Sequence, residues 1–195
     1  LEYYKSCGIN TEDYTPPVWE DFQAILQRLE FVVLAATRYE DDTRGQRTNG
    51  VLGTKTNEEL LLQLRNGSTV TLELAKGGDM FGTYIAPCRA FGLVSHDTID
   101  GPWAAPKITP RGKILYEARS QAGAPNVLLS KILQGLPIEE HEIRDESHFY
   151  ALNALDAPQA AQERTLLIDA CMEPATDRDK ASYERFRDTT QMMLA

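Results

Sequence analysis

Two of the three histidines of the chain lie in an acidic run, IEEHEIRDESH, which extends from Ile138 to His148. Carboxylate and imidazole side chains together are ligands for divalent cations. Histidines that share a metal on a helix usually stand one helical turn apart, whereas His141 and His148 are seven residues apart. The spacing therefore favours an acidic helix face in contact with solvent, and we expect neither a metal site nor a cofactor.

The segment GVLGTKT, at Gly50 to Thr56, has a superficial likeness to a phosphate-binding loop. Thr54 separates Gly53 from Lys55, and no hydrophobic strand precedes the segment, so the spacing that a nucleotide-binding loop requires is not met. We therefore expect an ordinary turn at this position.

No motif of nucleophilic or metal-assisted catalysis occurs in the sequence, and no dinucleotide-binding fingerprint occurs either. The three cysteines, Cys7, Cys88 and Cys171, are widely spaced and have no adjacent base. Cys88 is expected to pack as a small hydrophobic residue. We expect no enzymatic activity from this chain, and any catalysis would lie outside it.

The composition bounds the remaining functions. A chain of 195 residues with 42% hydrophobic and 25% charged residues can bury a core of ordinary size. The net charge of −9 excludes a surface that is basic all over, so any contact with nucleic acid must be local. The longest apolar run, FVVLAA, is too short to span a membrane. The absence of a membrane-spanning run, together with the odd number and wide spacing of the cysteines, favours a cytoplasmic protein.

The ends of the sequence indicate a piece of a longer protein. The chain begins at Leu1 instead of a methionine, and it stops at QMMLA without a terminating glycine, proline or basic residue. We expect that this ending cuts the chain inside or just after a helix.

The first fifty residues predict a long helix followed by a linker. Thr15 and the two prolines after it are a typical helix start. From Val18 to Ala36, apolar residues recur at three- and four-residue steps and so form one helical stripe. The polar segment Tyr39 to Gly50 has no such period, which predicts a mobile linker.

Three short helices are predicted next. Thr56 and Glu59 have the spacing of a capping box, and this first helix closes at Asn66-Gly67. Ser68 is expected to cap a second helix that carries Val70, Leu72, Leu74 and Ala75. A third helix is predicted to begin near Thr83 and to face inward with Tyr84, Ile85, Cys88 and Phe91.

A small hairpin and another helix follow. Leu93 and Val94 are a strand candidate, and Ile108 can return as its partner after a Gly- and Pro-rich excursion from Ser95 to Lys107. Thr109-Pro110 predicts the start of a helix whose buried face is formed by Ile114, Leu115 and Ala118.

This order of elements resembles the winged helix-turn-helix family over residues 57–119. The likeness is sharpest in CRAFGLVS, where a recognition helix would run into the first wing strand, and in ITPRGKIL, the start of the closing helix. It implies a mainly α fold in which a winged helix-turn-helix core with a small β-hairpin wing has N- and C-terminal helical extensions. The implied domains are residues 1–50, 51–120 and 121–195, the last being a helical region with about four helices.

The resemblance also implies binding of double-stranded DNA. It assigns Thr83, Tyr84 and Arg89 to the major groove and Lys107, Arg111 and Lys113 to phosphates. The segment Lys76–Arg119 has six basic against four acidic residues, so positive charge is concentrated there. The expected function is that of a transcriptional regulator, or of the DNA-targeting part of a larger bacterial defence or restriction protein. A homodimer or a neighbouring domain would supply further phosphate contacts.

A second interpretation stays open. The wing cations could simply be solvated, and the third helix is nearly uncharged while the chain outside Lys76–Arg119 carries −11. A protein–protein interaction scaffold without nucleic-acid binding would have such a sequence. Trp103 in the wing could wedge against a partner, but a tryptophan next to proline is more typical of a residue folded over the core.

Overall fold

The computed structural model describes residues 19–45, 47–48, 51, 53–77, 79–95, 106–121 and 127–173, and the single positions 184 and 188. Helices account for 74% of these residues and strands for 6%, which confirms the expected mainly α class. The chain divides into two compact units. The hairpin unit comprises Leu1–Pro16, Tyr84–Ala122 and Gln159–Ala195, and the long-helix unit comprises Pro17–Thr83 and Gly123–Pro158.

The long-helix unit is organised by helix α1, which spans Trp19–Arg44 and confirms the predicted long amphipathic helix. Its apolar stripe is buried at Phe31, Val32, Leu34, Ala35 and Ala36. This stripe packs mainly against a later helix of the same unit, Glu140–Tyr150, and against the residues around it. Burial of these side chains is the main driving force for folding of the unit.

Helix α1 continues through Arg44, so the prediction of a linker that begins at Tyr39 is wrong for Tyr39–Arg44. The cause is a polar contact that periodicity cannot reveal. Asp41 is buried, and its carboxylate accepts hydrogen bonds from the backbone N–H of Thr48 at 2.8 Å and from the hydroxyl of Thr48 at 2.7 Å. The last turn of the helix is thereby tied to the chain that follows it.

Helix α2 spans Glu58–Arg65 and is closed by Asn66 and Gly67 as predicted, with Asn66 as the C-cap and Gly67 in the left-handed region at φ +76°. Its N-cap residue is Asn57, not Thr56, so the predicted capping box is wrong. The Asn57 side chain instead bridges two loops. Its Nδ2 group donates to the carbonyls of Lys76 at 2.6 Å and Gly53 at 3.2 Å, and its Oδ1 accepts the Lys76 N–H at 2.9 Å.

The second helix that was predicted after Ser68 is replaced by strand β1, Val70–Thr71, and a single 3₁₀ turn, Leu72–Leu74. Val70 and Leu72 are both buried, and the strand forms because Val70–Thr71 pairs with a second strand. Its partner, β4 at Pro137–Ile138, is far away in the sequence, and the antiparallel register pairs Val70 with Ile138.

The rest of the long-helix unit is helical, as expected for this region. Helix α5 spans Val127–Gln134 and stops at Gly135, α6 spans Glu140–Tyr150, and a 3₁₀ segment covers Leu152–Asp156. The buried Thr37 of α1 fixes the start of that segment, since its hydroxyl accepts the Leu152 N–H at 3.0 Å and donates to the Val33 carbonyl at 2.7 Å.

The elements of the hairpin unit follow the predicted order. Helix α3 spans Asp79–Ala90 and crosses the boundary between the units. It is followed by β2 at Val94–Ser95, β3 at Lys107–Ile108 and α4 at Pro110–Gln121. After the long-helix unit the chain returns with a 3₁₀ turn at Pro158–Ala160, which begins at the boundary of the unit, and with α7 at Ala161–Met172. The winged helix-turn-helix itself stays a prediction.

Three details of this unit differ from expectation. Helix α3 begins at Asp79 instead of Thr83, and it tolerates Pro87 in its interior because the Thr83 carbonyl, which loses its partner, belongs to an exposed residue. Tyr84, predicted to face inward, is 47% exposed. Ile114, predicted on the buried face of α4, is 52% exposed, whereas Ala118 is buried as predicted.

Several predictions fall outside the described residues: the helix start at Thr15, most of the wing excursion, with Trp103, and most of the last C-terminal helix, for which the spacing of Thr176 and Asp179 predicts an N-cap. Among the helices that the structure describes, none has both the length and the apolar character needed to cross a bilayer.

Replacement of Asn57 by alanine is expected to lower the free energy of unfolding by about 1–3 kcal/mol, because it leaves the Lys76 backbone groups without their partner. Urea unfolding followed by circular dichroism measures the change. Asn66→Ala is the control, since Asn66 is exposed and contacts its helix through the backbone. An Asn57→Ala protein as stable as the Asn66→Ala protein would contradict the assignment.

Candidate nucleic-acid interface

The hairpin is closed by Thr109, the residue that follows β3. Strands β2 and β3 are antiparallel, with Val94 opposite Ile108 and Ser95 opposite Lys107. The predicted strand Leu93–Val94 is therefore shifted by one residue, and the return at Ile108 is confirmed. The Thr109 backbone N–H then donates to the Leu93 carbonyl at 3.1 Å, which extends the pairing to the base of the hairpin.

The Thr109 side chain joins the hairpin to α4. Its hydroxyl donates to the Gly92 carbonyl at 2.5 Å and accepts the N–H of Gly112 at 3.0 Å. The second contact is an N-cap, because it satisfies one of the free amides of the first turn of α4. Pro110 follows at the first helical position, where its missing N–H costs nothing. The sequence prediction from Thr109-Pro110 is confirmed at this helix start.

Gly112 allows the first turn of α4 to approach the hairpin closely. A Cβ atom at this position would lie 2.0 Å from the Leu93 carbonyl oxygen and 3.0 Å from Cγ1 of Ile108. No side chain fits in that space without displacement of the backbone. The Thr-Pro-x-Gly order in ITPRG is thus required by packing at the hairpin base.

The predicted groove residues of α3 are exposed, but they do not share a face. Thr83, Tyr84 and Arg89 all belong to the exposed class. Because each residue advances an α-helix by about 100°, Tyr84 lies about 100° from Thr83, and Arg89 lies about 140° from Tyr84. The three side chains leave the helix in three directions, so the structure does not bring them together.

The four cations that are predicted to contact DNA divide into two groups. Arg89 is assigned to the groove, and Lys107, Arg111 and Lys113 are assigned to phosphates. Arg111 is half-buried, and its Nη1 group donates to the carbonyls of Phe91 at 3.2 Å and Glu173 at 3.1 Å. Lys107 is half-buried and already takes part in a polar contact. Lys113 and Arg89 are exposed, and neither side chain has a hydrogen bond or ion pair with the part of the chain that the structure describes. Only these two are available to a ligand without rearrangement.

A groove that the sequence prediction missed lies between α4 and α7. It has a volume of about 310 Å³. It is lined by Leu93, Arg111, Ile114, Leu115, Leu166, Asp169, Ala170 and Glu173. Leu166, Asp169 and Ala170 from α7 and Glu173 just after it are three or four residues apart along one side of the helix, which is a signal that the sequence does contain.

The acidic run forms α6 in the long-helix unit, and only part of it is solvated. Glu140, His141, Asp145 and His148 are exposed. Glu142 instead forms an ion pair with Lys131, and the Glu146 carboxylate accepts the N–H groups of Val127 at 3.3 Å and Leu128 at 3.2 Å. Glu146 thus caps the N-terminus of α5, where a negative charge is favourable.

The described cysteines, Cys88 and Cys171, are half-buried free thiols. Burial raises the pKa of each of them, which keeps them protonated and weakly nucleophilic at neutral pH. Among the described residues, no group of three or more histidine, cysteine or acidic side chains is arranged to hold a metal ion.

Comparison of the chain with models of protein families, with curated proteins and with solved structures finds no match.

The Gly112→Ala substitution is expected to lower the free energy of unfolding by about 2–4 kcal/mol, because the new Cβ atom overlaps the Leu93 carbonyl. The same substitution at Gly82 is the matched control. Gly82 lies inside α3 with open space around the added atom, so Gly82→Ala should stabilise the protein by about 0.5–1 kcal/mol. Thermal unfolding of the two variants tests the pair. Equal effects of the two substitutions would contradict the close approach.

Replacement of Arg111 and of Lys113 by glutamine, one at a time, should distinguish a cation that stabilises the fold from one that does not. Arg111→Gln removes both carbonyl contacts and is expected to destabilise the protein by about 1–2 kcal/mol, whereas Lys113→Gln should change stability by less than about 0.5 kcal/mol. Urea unfolding is the measurement. A Lys113→Gln protein that is the less stable of the two would overturn this division.

Proposed function

We propose that the hairpin unit binds double-stranded DNA, and that Arg89 and Lys113 contact its phosphates. The observation that carries the proposal is that these two cations, on the helices that flank the hairpin, are exposed and unpaired within the described chain. Arginine and lysine in this state can neutralise phosphates and release the condensed counterions.

The distribution of charge between the units supports the same choice. The hairpin unit contains eleven lysine and arginine residues against thirteen acidic residues, whereas the long-helix unit contains nine against sixteen. An approaching polyanion is therefore repelled less strongly by the hairpin unit.

Fewer side chains of α3 can contact DNA together than in a full recognition helix. Thr83, Tyr84 and Arg89 leave it in different directions, so we assign Arg89 to the duplex and leave base readout to at most one of the other two. Contacts of this kind position a protein on DNA without specifying a sequence. Lys107 and Arg111 contribute charge near the duplex and do not bind phosphates directly.

Two phosphate contacts give weak binding. They predict that the logarithm of affinity falls with a slope of about −1.8 against the logarithm of salt concentration, which is about a 12-fold loss between 50 and 200 mM salt. We propose that the protein acts as a homodimer or within a larger assembly, because a second copy doubles the number of phosphate contacts and with it the slope. Its role would be that of a transcriptional regulator or of the DNA-targeting part of a defence or restriction protein.

The test measures the anisotropy of a labelled duplex of random sequence at the two salt concentrations. The wild-type chain should bind and should lose affinity with the stated slope or twice that slope. The double substitution Arg89→Glu with Lys113→Glu should abolish binding.

A charge-matched control, Arg144→Glu with Lys76→Glu, changes the net charge by the same amount at exposed positions of the long-helix unit. If the control loses as much affinity as the double variant, or if the wild type does not bind at 50 mM salt, the DNA proposal is wrong.

A second candidate function is docking of another protein in the groove between α4 and α7. The observation that favours it is Ile114, which is 52% exposed on the groove wall while Asp169 and Glu173 stand at its rim. This combination suits a partner segment in which apolar side chains are flanked by lysine or arginine. Loss of partner binding in Ile114→Ser, with DNA binding unchanged, would favour this function over the first.

A further inference from the structure

The long-helix unit contains a cleft that is separate from the interface described above. It has a volume of about 530 Å³, which is within the range of small-molecule sites. Its wall is built from the C-terminal part of α1, from Arg47, Thr54 and Lys55, and from α2. The lining residues are Arg38, Asp41, Asp42, Arg47, Thr54, Lys55, Glu58, Leu61, Leu62 and Arg65.

The cleft is the cationic part of an acidic unit. Four of the nine lysine and arginine residues of the long-helix unit line it, together with only three of the sixteen acidic residues. Two of the three carboxylates are already engaged. Asp41 accepts both hydrogen bonds from Thr48, and Asp42 pairs with Arg65 at 2.5 Å.

Two cations remain for a ligand. Arg47 and Lys55 are exposed, and neither is paired with any residue in the described parts of the chain. Glu58 is the opposing carboxylate, so the ligand-facing charge is positive by one unit. An anion with more than one negative charge is the ligand that such an arrangement favours.

The base of the cleft is held in place. The Arg38 guanidinium donates to the Thr48 carbonyl at 3.3 Å and to the Thr54 hydroxyl at 3.4 Å, and Thr54 donates to the Val51 carbonyl at 2.7 Å. The turn that carries Lys55 begins at Gly53, whose carbonyl accepts the Asn57 side-chain amide. Because the protein's own contacts hold the base of the cleft, little ordering of this part is required on binding.

One wall of the cleft is apolar. It is formed by two leucines of helix α2, of which Leu61 is half-buried and Leu62 is 53% exposed. A flat apolar group that covers Leu62 would remove this surface from water. A ligand that satisfies the whole cleft therefore has a multiply charged anionic end and an apolar end.

We propose that this cleft binds a nucleotide, with its phosphates between Arg47 and Lys55 and its base against Leu62. The segment GVLGTKT contributes Thr54 and Lys55 to this site, although its spacing differs from that of a phosphate-binding loop. The proposal does not depend on DNA binding by the hairpin unit.

The test titrates the intact chain with adenosine diphosphate, inorganic pyrophosphate and adenosine in separate calorimetric experiments. Adenosine diphosphate should bind more tightly than either of the other two. Arg47→Gln with Lys55→Gln should weaken adenosine diphosphate by about tenfold or more. Leu62→Ser should weaken adenosine diphosphate and leave pyrophosphate unchanged.

The matched control is Arg144→Gln with Lys76→Gln, which removes two exposed cations of the same unit outside the cleft lining. Circular dichroism of each variant checks that it is folded. The proposal is overturned by absence of binding at millimolar adenosine diphosphate or by an equal loss of affinity in the control. Pyrophosphate affinity that equals that of adenosine diphosphate overturns it too, because the site would then recognise phosphate alone. Binding of duplex DNA but not of mononucleotide would equally overturn it.

Discussion

The geometry of the candidate interface depends on the hydroxyl group of Thr109. This group has a single hydrogen, which it donates to the Gly92 carbonyl at 2.5 Å, and its oxygen accepts the Gly112 N–H from the first turn of α4. The end of one loop and the start of α4 are thereby held by the same atom. Gly112 completes the arrangement, since only the absence of a side chain lets the helix come so close to Leu93. The position of Lys113, one residue later, follows directly from these contacts.

The long-helix unit uses polar side chains in a comparable way, each between segments that are distant in the sequence. Asn57 connects the turn at Gly53 to the backbone at Lys76, and Thr37 connects α1 to the 3₁₀ segment at Leu152. These side chains are buried, so their hydrogen bonds do not compete with water and an unmatched partner would be costly. Apolar burial supplies the driving force, and these contacts determine which loops lie beside each other.

The parts of the fold that the sequence predicts are those whose cause is local. The stripe of α1, the proline start of α4 and the Asn66-Gly67 end of α2 each depend on residues within a few positions of one another. The predictions of a linker from Tyr39 and of a helix after Ser68 are wrong, because they depend on distant partners. These partners, Thr48 for the end of α1 and Ile138 for strand β1, are not recognisable from periodicity or propensity. A two-residue strand exists only when its opposite strand is present.

The candidate sites show the same limit. The sequence around Arg111 and Lys113 does not reveal that the first is held by backbone carbonyls and the second is not. One of the Arg111 contacts is with the carbonyl of Glu173, 62 positions away. The carbonyls that bind Arg111 are dipoles and carry no net charge, so they orient the guanidinium without neutralising it. Asp169 and Glu173 line the same groove, so the guanidinium offsets part of their negative charge in the solvent beside the hairpin, over a distance of about one Debye length. A group that cannot leave its place to touch a ligand can still reduce the repulsion that an approaching anion meets.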